Sequence, residues 1–319
     1  MVQSKNMREI HHPTSRLDVA GTGFTVLDRI YSDGALSDEA LGGSCANVLV
    51  SLAMLHRHVA PVLRLGADAE GERLVEEFSQ AGALIEYIYR HADLRSPILT
   101  EIIDRRTSEH SFSFRCPETD QEHPRYQPID ANERESAQSA FSDCSIFYTD
   151  RLSINILEAM HVAADHGAVV IFEPSEIGDA GLFEDAMEVV SILKTSADRL
   201  DREFGGVHAN NASIIKIVTH GSSGLEVRDT AGSFWCNAIS APVVRDACGS
   251  GDMVTVGLID WMLSNRAGQG QISAETILGG VVAGQRLAAV NCGFDGARGL
   301  FRSKGANFAR SVLDGISKL

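Results

Sequence analysis

Between residues 246 and 252 the chain reads Asp246-Ala-Cys-Gly249-Ser250-Gly251-Asp252, and the apolar run Met253–Leu263 follows directly. Two glycines around a small serine, placed where a helix starts, let several main-chain N–H groups converge. The helix dipole adds partial positive charge at the same point. Such a hole suits the oxygens of a transferring phosphoryl group. Asp252 falls in the first turn of that helix, where a carboxylate can accept the proton of an attacking hydroxyl. On these residues alone, a glycine turn with an aspartate at a helix N-terminus reads equally well.

Two further glycine clusters have chemical potential. Gly42-Gly43 precedes Ser44–His56, which reads as a buried helix with Ser44 as its N-cap. Glycines let a ligand approach the main chain, and Asn47 offers both a donor and an acceptor to a hydroxyl-rich molecule. A hinge at Gly42-Gly43, with Asn47 as an ordinary helix-start residue, is the alternative. Val218-Thr219-His-Gly221-Ser-Ser-Gly224 closes a strand, and a glycine-rich hairpin turn is its alternative. His56-x-His58 suits a helix end better than a metal, and His11 and His12 belong to a polar tail, Met1–Thr14.

The elements that must position these residues alternate. Leu17–Ala20 is a short apolar strand ending at Gly21-Thr-Gly23, with Asp28 just beyond it. Ser153–His166 reads as a helix stopped by Gly167, and Ala168–Phe172 as a strand. Val189–Leu193 and Ile214–Val218 are further strands, and Met253–Leu263 and Thr276–Val290 apolar helices. This order predicts an α/β fold, a mostly parallel sheet covered by helices on both faces. Pro97–Ile103 and Ser111–Arg115, joined by polar Arg105–His110, predict a hairpin, and Ile30–Leu41 another strand. These β pieces predict a small β lid over 30–43 and 95–116. The large domain then takes 17–29, 44–94 and 117–319. Pro117–Pro128, with three of the eight prolines, reads as the link between them.

Composition removes other classes. A net charge of −15 argues against nucleic acid and against an anionic membrane surface. No apolar run approaches the ~20 residues of a membrane span. Six cysteines without a CxxC pair or zinc spacing read as reduced thiols of a cytoplasmic protein. Gly21-x-Gly23 is not a dinucleotide fingerprint, because Val26 stands where the third glycine belongs. No Walker A motif occurs, and the glycine–serine run at 221–224 is not a nucleophile elbow.

DACGSGDMVTVG is similar to the DTxGAGDxFxxG signature of the PfkB (ribokinase-like) carbohydrate kinases; Asp246, Gly249, Gly251 and Asp252 match, while Ala247 and Ser250 are small replacements. Leu41-Gly42-Gly43-Ser-Cys-Ala-Asn47 resembles the family's GGxxxN, and Thr219–Gly224 its T-x-G-x-x-G. Cys292–Gly299 falls where the family closes its nucleotide site. The resemblance implies a ribokinase-like doubly wound fold with a lid and an ATP-dependent kinase acting on a hydroxyl of a sugar or nucleoside. By resemblance, Asp252 is the catalytic base. Gly249, Ser250 and Gly251 stabilise the γ-phosphate. Asp28, Gly42, Gly43 and Asn47 bind the acceptor, and Thr219, Gly221 and Gly224 lie along ATP. It further implies Mg²⁺, a K⁺ site near Asp246 and a homodimer through the lids. Two stretches depart. Lys194-Thr-Ser196-Ala-Asp198-Arg199 replaces the family's N-x-x-E, putting arginine where a glutamate linked to magnesium stands. Phe172-Glu-Pro-Ser175 replaces its D-x-N. The first departure keeps open a second reading, a catalytically weak sugar- or nucleoside-binding regulatory protein on the same fold. A vitamin-precursor kinase is disfavoured by the lid hairpin.

Overall fold

The structure, a computed structural model, describes residues 16–104, 109–198, 213–265 and 272–316. The strands are β1 (Leu17–Thr22), β2 (Val26–Ser32), β3 (Ala35–Gly42), β4 (Val59–Pro61), β5 (Leu63–Gly66), β6 (Ile88–His91) and β7 (Ile98–Asp104). After them come β8 (Glu109–Ser113), β9 (Cys144–Thr149), β10 (Val169–Phe172), β11 (Ile192–Ser196), β12 (Ile215–Thr219), β13 (Gly224–Arg228) and β14 (Ser233–Asn237). The helices are α1 (Ser44–Met54), α2 (Ala69–Ala81), α3 (Ala131–Ser136), α4 (Gln138–Ser142), α5 (Ile154–Asp165) and α6 (Ala180–Ala186). Then follow α7 (Ser250–Ser264), α8 (Ala274–Asn291) and α9 (Gly299–Leu313).

Eight strands form the central sheet in the order β14-β13-β12-β11-β10-β9-β1-β4. It is parallel from β4 through β12, and β13 and β14 continue it as an antiparallel hairpin. The central strands are apolar on both sides. In β10, Val169 and Ile171 face one core and Val170 and Phe172 the other. Helices α1, α7 and α8 cover the first face, and α4 and α5 the second. Helices on both faces are what a parallel sheet needs to bury such strands.

A separate four-stranded sheet has the order β3-β2-β7-β8, and β5 and β6 pair as a small parallel ribbon. The strand expected over Ile30–Leu41 is really two, β2 and β3, turning at Asp33 and Gly34. Asp28 therefore lies inside a strand of the small sheet rather than just past β1. The hairpin's second strand is Glu109–Ser113 rather than Ser111–Arg115, because Phe114 leaves the sheet to accept a bond from His123 N–H (2.8 Å). The strand expected at Val189–Leu193 is β11, shifted to Ile192–Ser196. Val189 and Val190 instead wind back onto Ala186 O at the end of α6. The tail Met1–Thr14 with His11 and His12, most of the Arg105–His110 loop, and Arg199 lie outside the described residues.

Candidate active site

The parallel strands present their carboxyl ends to one crevice, where ligands of open α/β sheets bind. A cavity of ≈ 600 Å³ opens there between the two sheets. Its floor holds Glu173 from the end of β10, Lys194 to Ser196 of β11 and Thr219 of β12. Its far wall is the loop Ala247–Asp252, and Asp28 and Phe112 come from the small sheet.

The loop before α7 takes the expected form. Gly249 is the N-cap, in the left-handed region at φ 69°, and a side chain there would collide with Ala297. Ser250 Oγ donates to Ala247 O at 2.8 Å, and Ser250 N–H points back to the same oxygen at 3.3 Å. Gly251 and Asp252 follow in the first turn, where N–H groups have no acceptor four residues back inside the helix. Met253 N–H makes the first helical bond, to Gly249 O at 2.9 Å. Asp246 fixes the loop from behind, accepting from Cys248 N–H at 2.7 Å and from Gly296 N–H at 2.6 Å. His110 of β8 places its Nε2 3.0 Å from Asp246 Oδ1 without hydrogen-bond alignment, while its Nδ1 contacts Glu101 Oε1 at 2.6 Å.

Asp252 is buried and lines the cavity. Its Oδ2 accepts from Asn47 Nδ2 at 2.9 Å. Burial raises its carboxyl to about 7; Glu173 pushes the same way, and the Asn47 bond and Lys194 oppose. Lys194, also buried, is ion-paired with Glu173 and donates to Gly251 O at 3.1 Å. Glu173 Oε2 accepts from Thr255 Oγ1 at 2.7 Å and from Tyr148 OH at 3.3 Å. The cavity thus brings an ionisable carboxylate, a buried ammonium and helix-start amides around one space.

Asp28 points into this space from β2. Burial pushes its carboxyl well above the carboxylate range, with Glu101 adding to the rise, and Oδ1 is buried without a hydrogen-bond partner among the described residues. Gly42 packs so closely on the Asp28 carboxylate that a Cβ there would overlap it. Gly43, not Ser44, is the N-cap of α1, with φ 90° and no side-chain cap bond, because the chain turns over Phe24 O at this point. Ser44 instead starts the helix and lines the cavity. Phe24 completes the wall, with the Arg151 guanidinium carbon 4.3 Å from its ring centroid.

Thr219, Gly221 and Gly224 border a second cavity of ≈ 490 Å³ between β13 and α8. It is mostly apolar and meets the first at Thr219, Ala247, Ser250 and Gly251. The first cavity therefore gathers Asp28, Gly43, Asn47, Thr219, Gly249, Ser250, Gly251 and Asp252. Gly42 and Asp246 stand behind its wall, and Gly221 and Gly224 belong to the second. Sequence reading leaves Glu173, Asp150, Arg151 and His110 without a role. Glu173 is visible there as a carboxylate right after an apolar strand, and Asp150-Arg151 as a charged pair closing the apolar run Cys144–Thr149.

The model of the pfkB family carbohydrate kinases matches residues 38–294. No curated protein matches the chain. Among solved structures, a fructokinase with bound ATP from Xylella fastidiosa is similar with TM-score 0.72 at 20% identity, covering 94% of this chain and 99% of that one. Aminoimidazole riboside kinase from Salmonella enterica, complexed with aminoimidazole riboside and an ATP analogue, is similar with TM-score 0.70 at 20% identity, covering 93% and 99%. An uncharacterized sugar kinase from Pyrococcus horikoshii gives TM-score 0.72 at 17% identity, covering 92% and 99%. The overall architecture is thus the ribokinase-like one, with a small separate sheet.

Proposed function

The chain belongs to the pfkB family of carbohydrate kinases, and from that premise we propose that it transfers the γ-phosphoryl group of ATP to a hydroxyl of a small sugar or nucleoside. The observation that carries this reading is the meeting of the two cavities at Ser250 and Gly251, with Asp252 on the larger side. ATP occupies the mostly apolar cavity beside Thr219, Gly221 and Gly224. The acceptor occupies the larger one, where the unpartnered Asp28 Oδ1 takes a bond from a hydroxyl.

The acceptor oxygen attacks the γ-phosphorus in line, an O–P bond forms and the bond to the β-phosphate oxygen breaks. Asp252 accepts the hydroxyl proton. The N–H groups of Gly249 and Gly251 hold the phosphoryl oxygens, with Ser250 N–H a weaker partner because Ala247 O already shares it. Lys194 offsets negative charge on the cleft floor, and the small sheet acts as a lid that keeps water from the phosphoryl group. Magnesium, when bound, neutralises the phosphates. Glu173, which lines the cleft floor and already accepts from Lys194, Thr255 and Tyr148, would be the carboxylate nearest to hand for that ion. Asp198, exposed just past β11, is the carboxylate of the altered stretch itself. Asp246, which the resemblance ties to potassium, accepts one main-chain N–H on each oxygen and has Glu101 and His110 beside it, and no step runs through that ion.

ADP release measured over a panel of sugars and nucleosides tests the proposal. Acceptor-stimulated turnover is expected. Ligand binding without stimulated turnover would favour the regulatory-protein reading.

A pH dependence follows from Asp252. The base works only when ionised, and its carboxyl is raised to about 7. Below that value kcat/KM should fall about tenfold per pH unit. Glu173→Gln removes the negative neighbour that raises Asp252 most after burial and leaves Lys194 without its counter-charge, so the acid limb should move down by about one pH unit. An acid limb that stays near 7 in Glu173→Gln would separate it from Asp252.

A further inference from the structure

Arg298, at the start of α9, is buried at 5% exposure although it carries a guanidinium. Its Nη2 donates to Leu41 O at 2.7 Å and to Glu77 Oε2 at 2.9 Å. Glu77 Oε1 in turn accepts from Leu41 N–H at 2.8 Å. Leu41 is next to last in β3, so both its main-chain polar groups are clamped by one ion pair. Arg298 Nε donates to Asn47 Oδ1 at 3.3 Å, and Asn47 Nδ2 donates to Asp252 Oδ2 at 2.9 Å.

A guanidinium can only donate, so the Asn47 atom that faces it must be the oxygen. That leaves the amide nitrogen facing Asp252. Turned the other way, the amide would set its oxygen against a carboxylate and its N–H₂ against a cation. Arg298 therefore decides what the candidate base sees, though it lies on the far side of Asn47 from it.

We propose that Arg298, held in place by Glu77, is a positioning residue that orients Asn47 onto Asp252 and ties that orientation to the root of the lid strand β3. The inference rests on the reading of Asp252 as the base. Other groups also act on this carboxylate. Glu173 acts on it from just past β10, Lys194 from β11, Asp150 from just past β9 and Asp28 from β2, and the Cys45 and Cys248 thiols and the Tyr148 phenol lie around it. Arg298→Lys leaves all of these in place and keeps the positive charge. It removes only the fork that reaches Glu77, Leu41 and Asn47 together.

The test is a ¹³C carboxyl titration of Asp252 beside kcat/KM profiles in wild type, Arg298→Lys, Asn47→Leu and the double variant. Arg298→Lys should raise the Asp252 midpoint by about half to one pH unit, because a bond favouring the charged form is weakened. It should lower kcat by about tenfold with the KM for ATP unchanged. Asn47→Leu should raise the midpoint at least as far, and the second change should add nothing on that background. A midpoint that moves in Asn47→Leu but stays put in Arg298→Lys overturns the inference, as does an additive double variant. Should Arg298→Lys fail to fold, Glu77→Gln loosens the same tether, and a wild-type midpoint there has the same consequence. If no acceptor is phosphorylated at all, the proposed function falls, while the titration still decides whether Arg298 orients Asn47.

Discussion

Asp252→Asn is expected to lower kcat by ~10²–10⁴-fold, the usual contribution of a positioned general base. The substitution keeps size and shape, so the side chain stays in the same buried slot beside Asn47. It also removes a charge from an interior that already holds Glu173, Asp150 and Asp28 close by. Burial is what raises Asp252, so a neutral residue there should leave the melting temperature equal or higher. Gly249 and Gly251 are untouched, and the affinity for an ATP analogue should stay within about threefold. This split distinguishes loss of the base from loss of the fold. Calorimetric binding, thermal melting and single-turnover kinetics of one preparation would read all three. Wild-type turnover in Asp252→Asn would take the base role away from this residue and leave the amides as the main source of rate.

The parts of this site that occupy short contiguous runs are legible in the amino-acid order itself. Gly249 to Asp252 sit on one helix start, and Asn47 on another, so helix periodicity alone places them. The eight-stranded sheet can be read wherever apolar strands and helices alternate without overlap. That reading slips at Val189–Val190, where one apolar run serves both the end of α6 and the approach to β11. The β13–β14 hairpin escapes it because each strand carries only a short alternation, buried Leu225 and Val227 in one and half-buried Phe234 and Cys236 in the other, among polar and charged neighbours. Resemblance puts Asp28 near the acceptor, yet its strand is hidden, since β2 carries charged residues at Asp28 and Arg29. Long-range polar pairings are the least visible. Glu77 and Arg298 are 221 residues apart, and Glu173 and Lys194 join across neighbouring strands. No local pattern reports such pairs; the sheet order brings β10 beside β11, and the tertiary fold sets the start of α9 against Glu77 of α2 and Leu41 of β3. The departure at Lys194–Arg199 shows the other side of this. As sequence it signals a changed magnesium arrangement at Ser196 and Arg199, and Arg199 lies outside the described residues, while Lys194 before them balances Glu173 under Gly251.

Gly251→Val should abolish most turnover without disturbing the fold, and the contrast with Gly249 explains why. At Gly249 the main chain is left-handed and a Cβ would strike Ala297, so any side chain there strains the loop itself. At Gly251 the backbone is helical, and a Cβ would meet only Lys194 Nζ at 3.5 Å and Glu173 Oε1 at 3.7 Å, ordinary contact distances. The surroundings can therefore accept the substitution. What they lose is the space where the two cavities join, because Gly251 borders both. The valine methyls would occupy the path of the phosphoryl group and screen the Gly251 N–H from it. Losing one such donor costs about 10²–10³-fold in kcat, and blocking the path adds to that. Gly251→Ala, with a single methyl, should fall between wild type and valine. Gly249→Ala should instead lower the melting temperature, since strain of this kind costs on the order of 1–3 kcal/mol. Melting curves and ADP release for the three variants would set the two glycines apart. If Gly251→Val turned over normally at an unchanged KM for ATP, the phosphoryl group could not pass beside this amide. The meeting point of the cavities would then lose its meaning.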